Sequence, residues 1–183
     1  NSREENGRRF IIAYPPTLSG QEKANTTMLK ELRIYVDTSV IGGCFDEEFS
    51  PWSKGLIKDL QLGNFKAVVS ELVTAEIPNA PLPVRQQLAA ILELDHEYLM
   101  TTEVVTALAE VYQQRQILTP KYYDDGLHIA LATVAQVDIL VSWNFKHIVH
   151  LDKIRSFNLV NLEQGYKTWQ IYSPREVTHY EEF

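Results

Sequence analysis

With 183 residues, 45% of them hydrophobic and 22% charged, the chain is long enough for one domain with a substantial core. Seventeen Lys and Arg against 24 Asp and Glu leave a net charge of −7, so any binding of nucleic acid must rest on a local basic patch rather than on the overall field. No segment reaches the roughly 18 apolar residues of a membrane helix, FIIAYPP is broken too soon by Pro15 and Pro16 to be a signal-peptide core, and the lone Cys44 with no CxxC argues against disulfide and zinc alike, making a reducing cytoplasm the expected compartment.

Residues 1–28 are polar, with one apolar island at Phe10–Ile12. They read as an extension outside the fold; in a second reading Arg8 and Arg9 reach an acidic site. Core-like patterning begins after Met28, and residues 29–183 are expected to form a single domain. LRIYVD is a buried strand ending at Asp37, followed by a turn at Gly42 and Gly43. A helix is expected from Pro51 to Gly63, then a strand over FKAVVS, whose Ser70 caps the helix ELVTAEI before Pro78. PVRQQLAAILEL is a helix, Tyr98–Met100 a short strand, and EVVTALAEVYQQR a helix. Thr119-Pro120 opens the helix KYYDDGLHIALATVAQ; DILVSW is a strand, FKHIVH a short helix, and IRSFNLVNLEQGY partly helical. TWQIYS is a last strand before a helix start at SPREV. Strands alternating with helices predict an α/β fold, a mainly parallel sheet of about five strands covered on both faces in three α/β/α layers.

Three acids interrupt segments otherwise built for burial: Asp37 at the end of the first strand, Glu76 on the helix after the second, and Asp125 early in DGLHIALA. Ligands of an open parallel sheet bind outside the carboxyl ends of its strands, and Asp37, Glu76 and the Trp143-Asn144 pair after DILVS all fall at that edge. Glu76 shares a helical face with Leu72 and Val73, and Asp125 with Ile129 and Ala132, so both acids are expected to turn inward. Asp124 is either a second ligand or a helix-dipole partner, Glu71 a first-turn acid, and His128 a packed or hydrogen-bonded histidine. Two unit charges about 4 Å apart cost on the order of 4 kcal/mol at an effective dielectric near 20. Convergent carboxylates therefore need a positive partner, and all-oxygen donors select Mg²⁺ or Mn²⁺. Such an ion suits phosphodiester hydrolysis.

At these residues the chain resembles the PIN domain, the ribonuclease fold of VapC-type toxins. The resemblance runs from Leu32 to about Tyr172 through VDTSV, SELVTAEI, DGLHIALA and LVSWNFKHI. It implies an endoribonuclease dependent on Mg²⁺ or Mn²⁺, an RNA substrate, frequent homodimerisation and inhibition by an antitoxin protein. By position, Asp37, Glu76 and Asp125 match the family's first three acids as catalytic residues and metal ligands, and Asn144 stands where a fourth is usual, offering the metal a carbonyl oxygen without charge, so that a weaker or single-metal site is expected. Thr38, Ser39, Asp124, Ser142, Trp143 and Lys146 are the further candidate contacts. Trp143 either stacks on a base or packs. Lys146, His147, His150, Lys153 and Arg155 form a basic run that either guides an RNA backbone or is a solvated face. A catalytically weak module that binds RNA or protein is the rival reading. A haloacid-dehalogenase phosphatase lacks its acid at Ser39, and a receiver domain lacks an acidic pair near its first strand.

Overall fold

The computed structural model describes residues 30–178, so the expectations for residues 1–28, including those for Arg8 and Arg9, lie outside the described residues. Five short runs form strands, most of them rich in β-branched or aromatic residues: β1 (Leu32–Val36), β2 (Phe65–Ser70), β3 (His96–Leu99), β4 (Ile139–Val141) and β5 (Gln170–Tyr172). They pair in the order β3-β2-β1-β4-β5, every pair parallel. β1 lies at the centre, with Ile34, Tyr35 and Val36 wholly buried, as expected of a strand covered on both faces.

Between the strands run α1 (Thr38–Gly43), α2 (Ser50–Gln61), α3 (Glu71–Glu76), α4 (Leu82–Leu92), α5 (Glu103–Gln114), α6 (Tyr123–Val134), α7 (Leu151–Glu163) and α8 (Pro174–Val177). α1, α2, α4 and α8 pack together, while α5 packs on both α6 and α7. The two helical groups and the sheet make the three-layer α/β sandwich read from the sequence. β1 to β3 advance in one direction and β4 and β5 lie on the other side of β1, so the strand order reverses between β1 and β4. In open parallel sheets such a reversal, outside the carboxyl ends of the strands, is where ligands bind.

Several local expectations need correction. The segment FKHIVH is a turn rather than a helix, because Asn144 takes the N–H groups of the next residues: its side-chain Oδ1 accepts from His147 N at 3.0 Å, and its carbonyl from Ile148 N and Val149 N at 3.0 and 2.8 Å. Gly42 and Gly43, read as a turn, lie inside α1, where a Cβ on Gly43 would come within 2.7 Å of the Trp143 indole nitrogen. The third strand begins at His96 instead of Tyr98, and Pro120 opens a 3-10 turn, Pro120–Tyr122, ahead of α6. Ser70 does cap α3, accepting from Val73 N at 3.4 Å, and α3 ends at Glu76 before Pro78.

Near the start of β1, Arg33 ties three parts of the sheet together. Its Nε and Nη2 donate to the Glu97 carboxylate at 2.7 and 2.6 Å, joining β1 to β3 across β2. Its Nη1 reaches the carbonyls of Ala135 and Gln136 at 3.0 and 2.9 Å, just before β4. The hydrogen bonds from Arg33 hold the Glu97 carboxyl below its usual range against the opposing effect of burial. Arg33→Ala is expected to cost about 1–3 kcal/mol by urea unfolding at pH 7. Because the folded pKa of Glu97 is depressed, its contribution is complete above the unfolded value of about 4.3 and is lost as pH falls through the folded value. The deficit of the variant should therefore shrink at pH 3; an undiminished deficit there would assign it to packing instead.

Candidate functional site

Side chains alternate along a strand, so Tyr35 in β1 and Asp37 immediately after it point to the same face of the sheet. That face meets α6. Asp37 stands at the N-cap position of α1, yet its carboxylate does not cap the helix. Instead Oδ2 accepts from Ser39 Oγ at 2.5 Å and Ser142 Oγ at 2.7 Å. Those hydroxyls are themselves fixed by the turn after β4, accepting from Trp143 N and Asn144 N, each at 2.9 Å. Two neighbouring strand ends thus lock one another around a carboxylate that is only 5% exposed.

Glu76 comes in from the rim, at the end of α3. Its Oε2 accepts from the Thr38 hydroxyl, and its Oε1 lies 3.1 Å from Nε2 of His128. The same nitrogen lies 3.5 Å from Asp37 Oδ1. His128, 3% exposed, is held from behind: its Nδ1 is 2.7 Å from the Tyr35 hydroxyl, which is in turn 2.7 Å from Ser70 Oγ. Burial holds the Tyr35 phenol protonated, so a polar chain runs from the N-cap of α3 through β1 to the acids. Asp125, three residues before His128 on α6, is held by Asn144 Nδ2 at 3.1 Å and by His147 Nδ1 at 2.7 Å.

Two histidines therefore stand among three carboxylates. Burial opposes a charge on His128, but Asp37, Glu76 and Asp125 together outweigh it and raise its pKa. At Glu76, burial pushes the carboxyl upward, and the contacts with His128 and Thr38 overcome it and hold the group below its ordinary value. At Asp125, burial assisted by the charge of Asp37 prevails over His147 and Asn144, and the pKa is raised. A carboxylate kept from easy ionisation beside another carboxylate is a group that a cation would relieve.

The oxygen donors of Asp37, Glu76 and Asp125 fit a hard divalent ion by chemistry. Among the described residues, however, no three His, Cys, Asp or Glu side chains converge as a ready metal cage. Glu76 and Asp125 are each turned onto a histidine, so holding an ion would require those contacts to open.

The other candidate residues sort clearly. Thr38, Ser39 and Ser142 are the hydroxyls of the corner. Asp124 is exposed, whereas Asp125 is half-buried and bonded to Asn144 and His147. Trp143 is 8% exposed, stacks on Phe49 with ring centroids 4.4 Å apart and donates to Ser53 Oγ at 2.8 Å: it is packed. Lys146 is exposed, its Nζ 5.4 Å from the Tyr122 ring centroid. Sequence reasoning gave no role to Tyr35 and none to His147 as the partner of Asp125. A tyrosine inside a fully buried strand was the available signal, since its hydroxyl must find a partner. For His147 no comparable signal exists, because the turn that aims it is made by Asn144.

Two measurements on metal-free protein check these electrostatics. Because the pKa of His128 is raised on folding, its protonation adds stability below the unfolded value of about 6.5 and the gain is lost as pH rises through the folded value. An NMR titration should place His128 above that reference, and Glu76→Gln should bring it down; an unmoved titration would discount the 3.1 Å contact. Asn144→Asp sets a second carboxylate against Asp125 in place of a donor at 3.1 Å. In EDTA at pH 8 it should lose about 1–3 kcal/mol of stability, and Mn²⁺ should restore part of the loss if the acids share an ion.

No known family profile matches the sequence, and no curated protein matches it. Among solved structures, the chain is similar to one in the crystal structure of VapBC2 from Rickettsia felis bound to a DNA fragment from their promoter. That similarity has a TM-score of 0.48 and 14% identity, covering 78% of this chain and 98% of that one.

Proposed function

We propose that the protein is a metal-dependent endoribonuclease that hydrolyses RNA phosphodiester bonds at the corner formed by Asp37, Glu76 and Asp125. The observation that carries this reading is a shared buried imidazole. Asp37 and Glu76, from chain-distant elements, both face His128 at the strand-order reversal of a parallel sheet, and Asp125 lies one turn before that histidine on the same helix. Folding alone offers no reason to gather them. The toxin role, with an antitoxin as protein partner, rests on the PIN-domain resemblance of four sequence motifs, and a cytoplasmic location on the lone Cys44.

The chain's own residues prepare the corner. Ser39 and Ser142 fix the Asp37 carboxylate, Thr38 and His128 hold Glu76, and Asn144 and His147 hold Asp125. Asp37, Glu76 and Asp125 would hold Mg²⁺ or Mn²⁺. Bound there, the ion would neutralise the phosphate and supply a nucleophilic water near neutral pH. Asn144, already spent on Asp125 and the following turn, adds positioning rather than charge.

The test is cleavage of a panel of structured and single-stranded RNAs with Mg²⁺ or Mn²⁺. Asp37→Asn and Asp125→Asn should each lower the single-turnover rate by about 100-fold or more, the consequence of losing several kcal/mol of charge stabilisation. Undiminished cleavage in both variants would assign the activity to a contaminant. Binding of RNA or protein without cleavage under any metal would favour the rival reading, a binding module, to which the histidine-held acids and the uncharged Asn144 lend support.

A further inference from the structure

We propose that a cleft beside Asp125 is a phosphate subsite that holds the backbone of single-stranded RNA, an inference that rests on the nuclease reading and extends it to substrate positioning. The cleft has a volume of about 270 Å³ and is lined by Leu118, Thr119, Tyr122, Lys146, His147 and Lys153. It joins three chain segments: the loop before α6, the turn after β4, and the first turn of α7.

Three observations give it this role. It lies one side chain from the acids, because His147, part of its wall, bonds Asp125 at 2.7 Å. Two lysines meet at one ring of its wall: Lys146, which lines the cleft, and Lys121, which lies beside it, place their ammonium groups 5.4 and 5.6 Å from the centroid of Tyr122, and the His147 ring packs on the same tyrosine at 3.8 Å. Lys153 is braced by the carbonyl of Ile117. Lastly, in a chain of net charge −7 with an acidic corner, a polyanion can be held near that corner only where cations cluster beside it. The basic run is thereby divided: Lys146, His147 and Lys153 line the cleft, Lys121 joins them from another segment, and His150 and Arg155 take no part in the lining. Phosphate contacts of this kind set register without reading sequence.

Binding is measured in EDTA, where no cleavage intervenes, using an eight-nucleotide oligouridylate at several salt concentrations. Lys146→Ala, a change at an exposed side chain, should weaken binding several-fold and flatten the slope of log K against log salt by about 0.7, the value for one phosphate on a single strand. Lys121→Ala should act in the same direction, and urea unfolding of both variants should match wild type. Affinity within about twofold of wild type and an unchanged slope in both variants would overturn the subsite. Inorganic phosphate competing at the same concentration per phosphate as the oligomer would overturn the RNA assignment in favour of a free-anion site. Oligomer bound through Lys146, with no RNA of the panel cut under Mg²⁺ or Mn²⁺, would sink the nuclease reading and leave the subsite standing; metal-dependent cleavage with no effect of either lysine would do the reverse.

Discussion

Like charges brought together at the edge of a protein core must be offset, and here a buried imidazole faces two of the three acids while a second histidine holds the third. Nε2 of His128 stands within 3.5 Å of Asp37 and 3.1 Å of Glu76, while Asp125 sits one turn away on the same helix. The imidazole is not free to turn, because its other nitrogen is tied through Tyr35 to Ser70. Such an arrangement couples the central strand to the caps of two helices. It explains why a tyrosine occupies a strand position that an aliphatic residue would fill more simply: the hydroxyl fixes the ring that offsets the acids.

The topology supplies the rest. Since β1 and β4 are neighbours whose connections leave in opposite directions, the residues after each can bond one another without strand pairing. Ser39 from one and Ser142 from the other both donate to Asp37, and the backbone after β4 donates to both hydroxyls. A parallel sheet leaves such a gap only where the order reverses. The acidic corner and the fold are therefore one construction.

How far this was legible follows from the kind of signal each residue carries. Asp37, Glu76 and Asp125 stood out because each breaks an apolar pattern, and periodicity is a local property that a sequence displays directly. Helical spacing alone permits His128 to face either Asp124 at i+4 or Asp125 at i+3; packing of α6 against β1 decides it, and that contact joins residues about ninety positions apart. The turn after β4 was read as a helix because FKHIVH has a helix-like pattern, whereas the capture of three successive N–H groups by Asn144 overrides it. The strands were read with small boundary errors, as at His96, for the β-rich runs are short and their ends are set by pairing partners.

Asn144 shows what the histidines cost and what they gain. A carboxylate at this position would enlarge the charge available to a cation, but without one it would face Asp125 across a hydrogen-bond distance. The amide donates instead, at 3.1 Å, and its oxygen closes the turn that aims His147 at the same acid. Asp125 is thus satisfied twice by groups that follow one strand, although burial and Asp37 still hold its pKa up. A corner furnished this way is stable before any ion arrives, and by the same reasoning an ion must compete with His128 and His147 for the carboxylates it would bind. The neutral residue and the two histidines belong to one solution: a cluster of acids made tolerable by the chain itself, at the expense of ready metal capture.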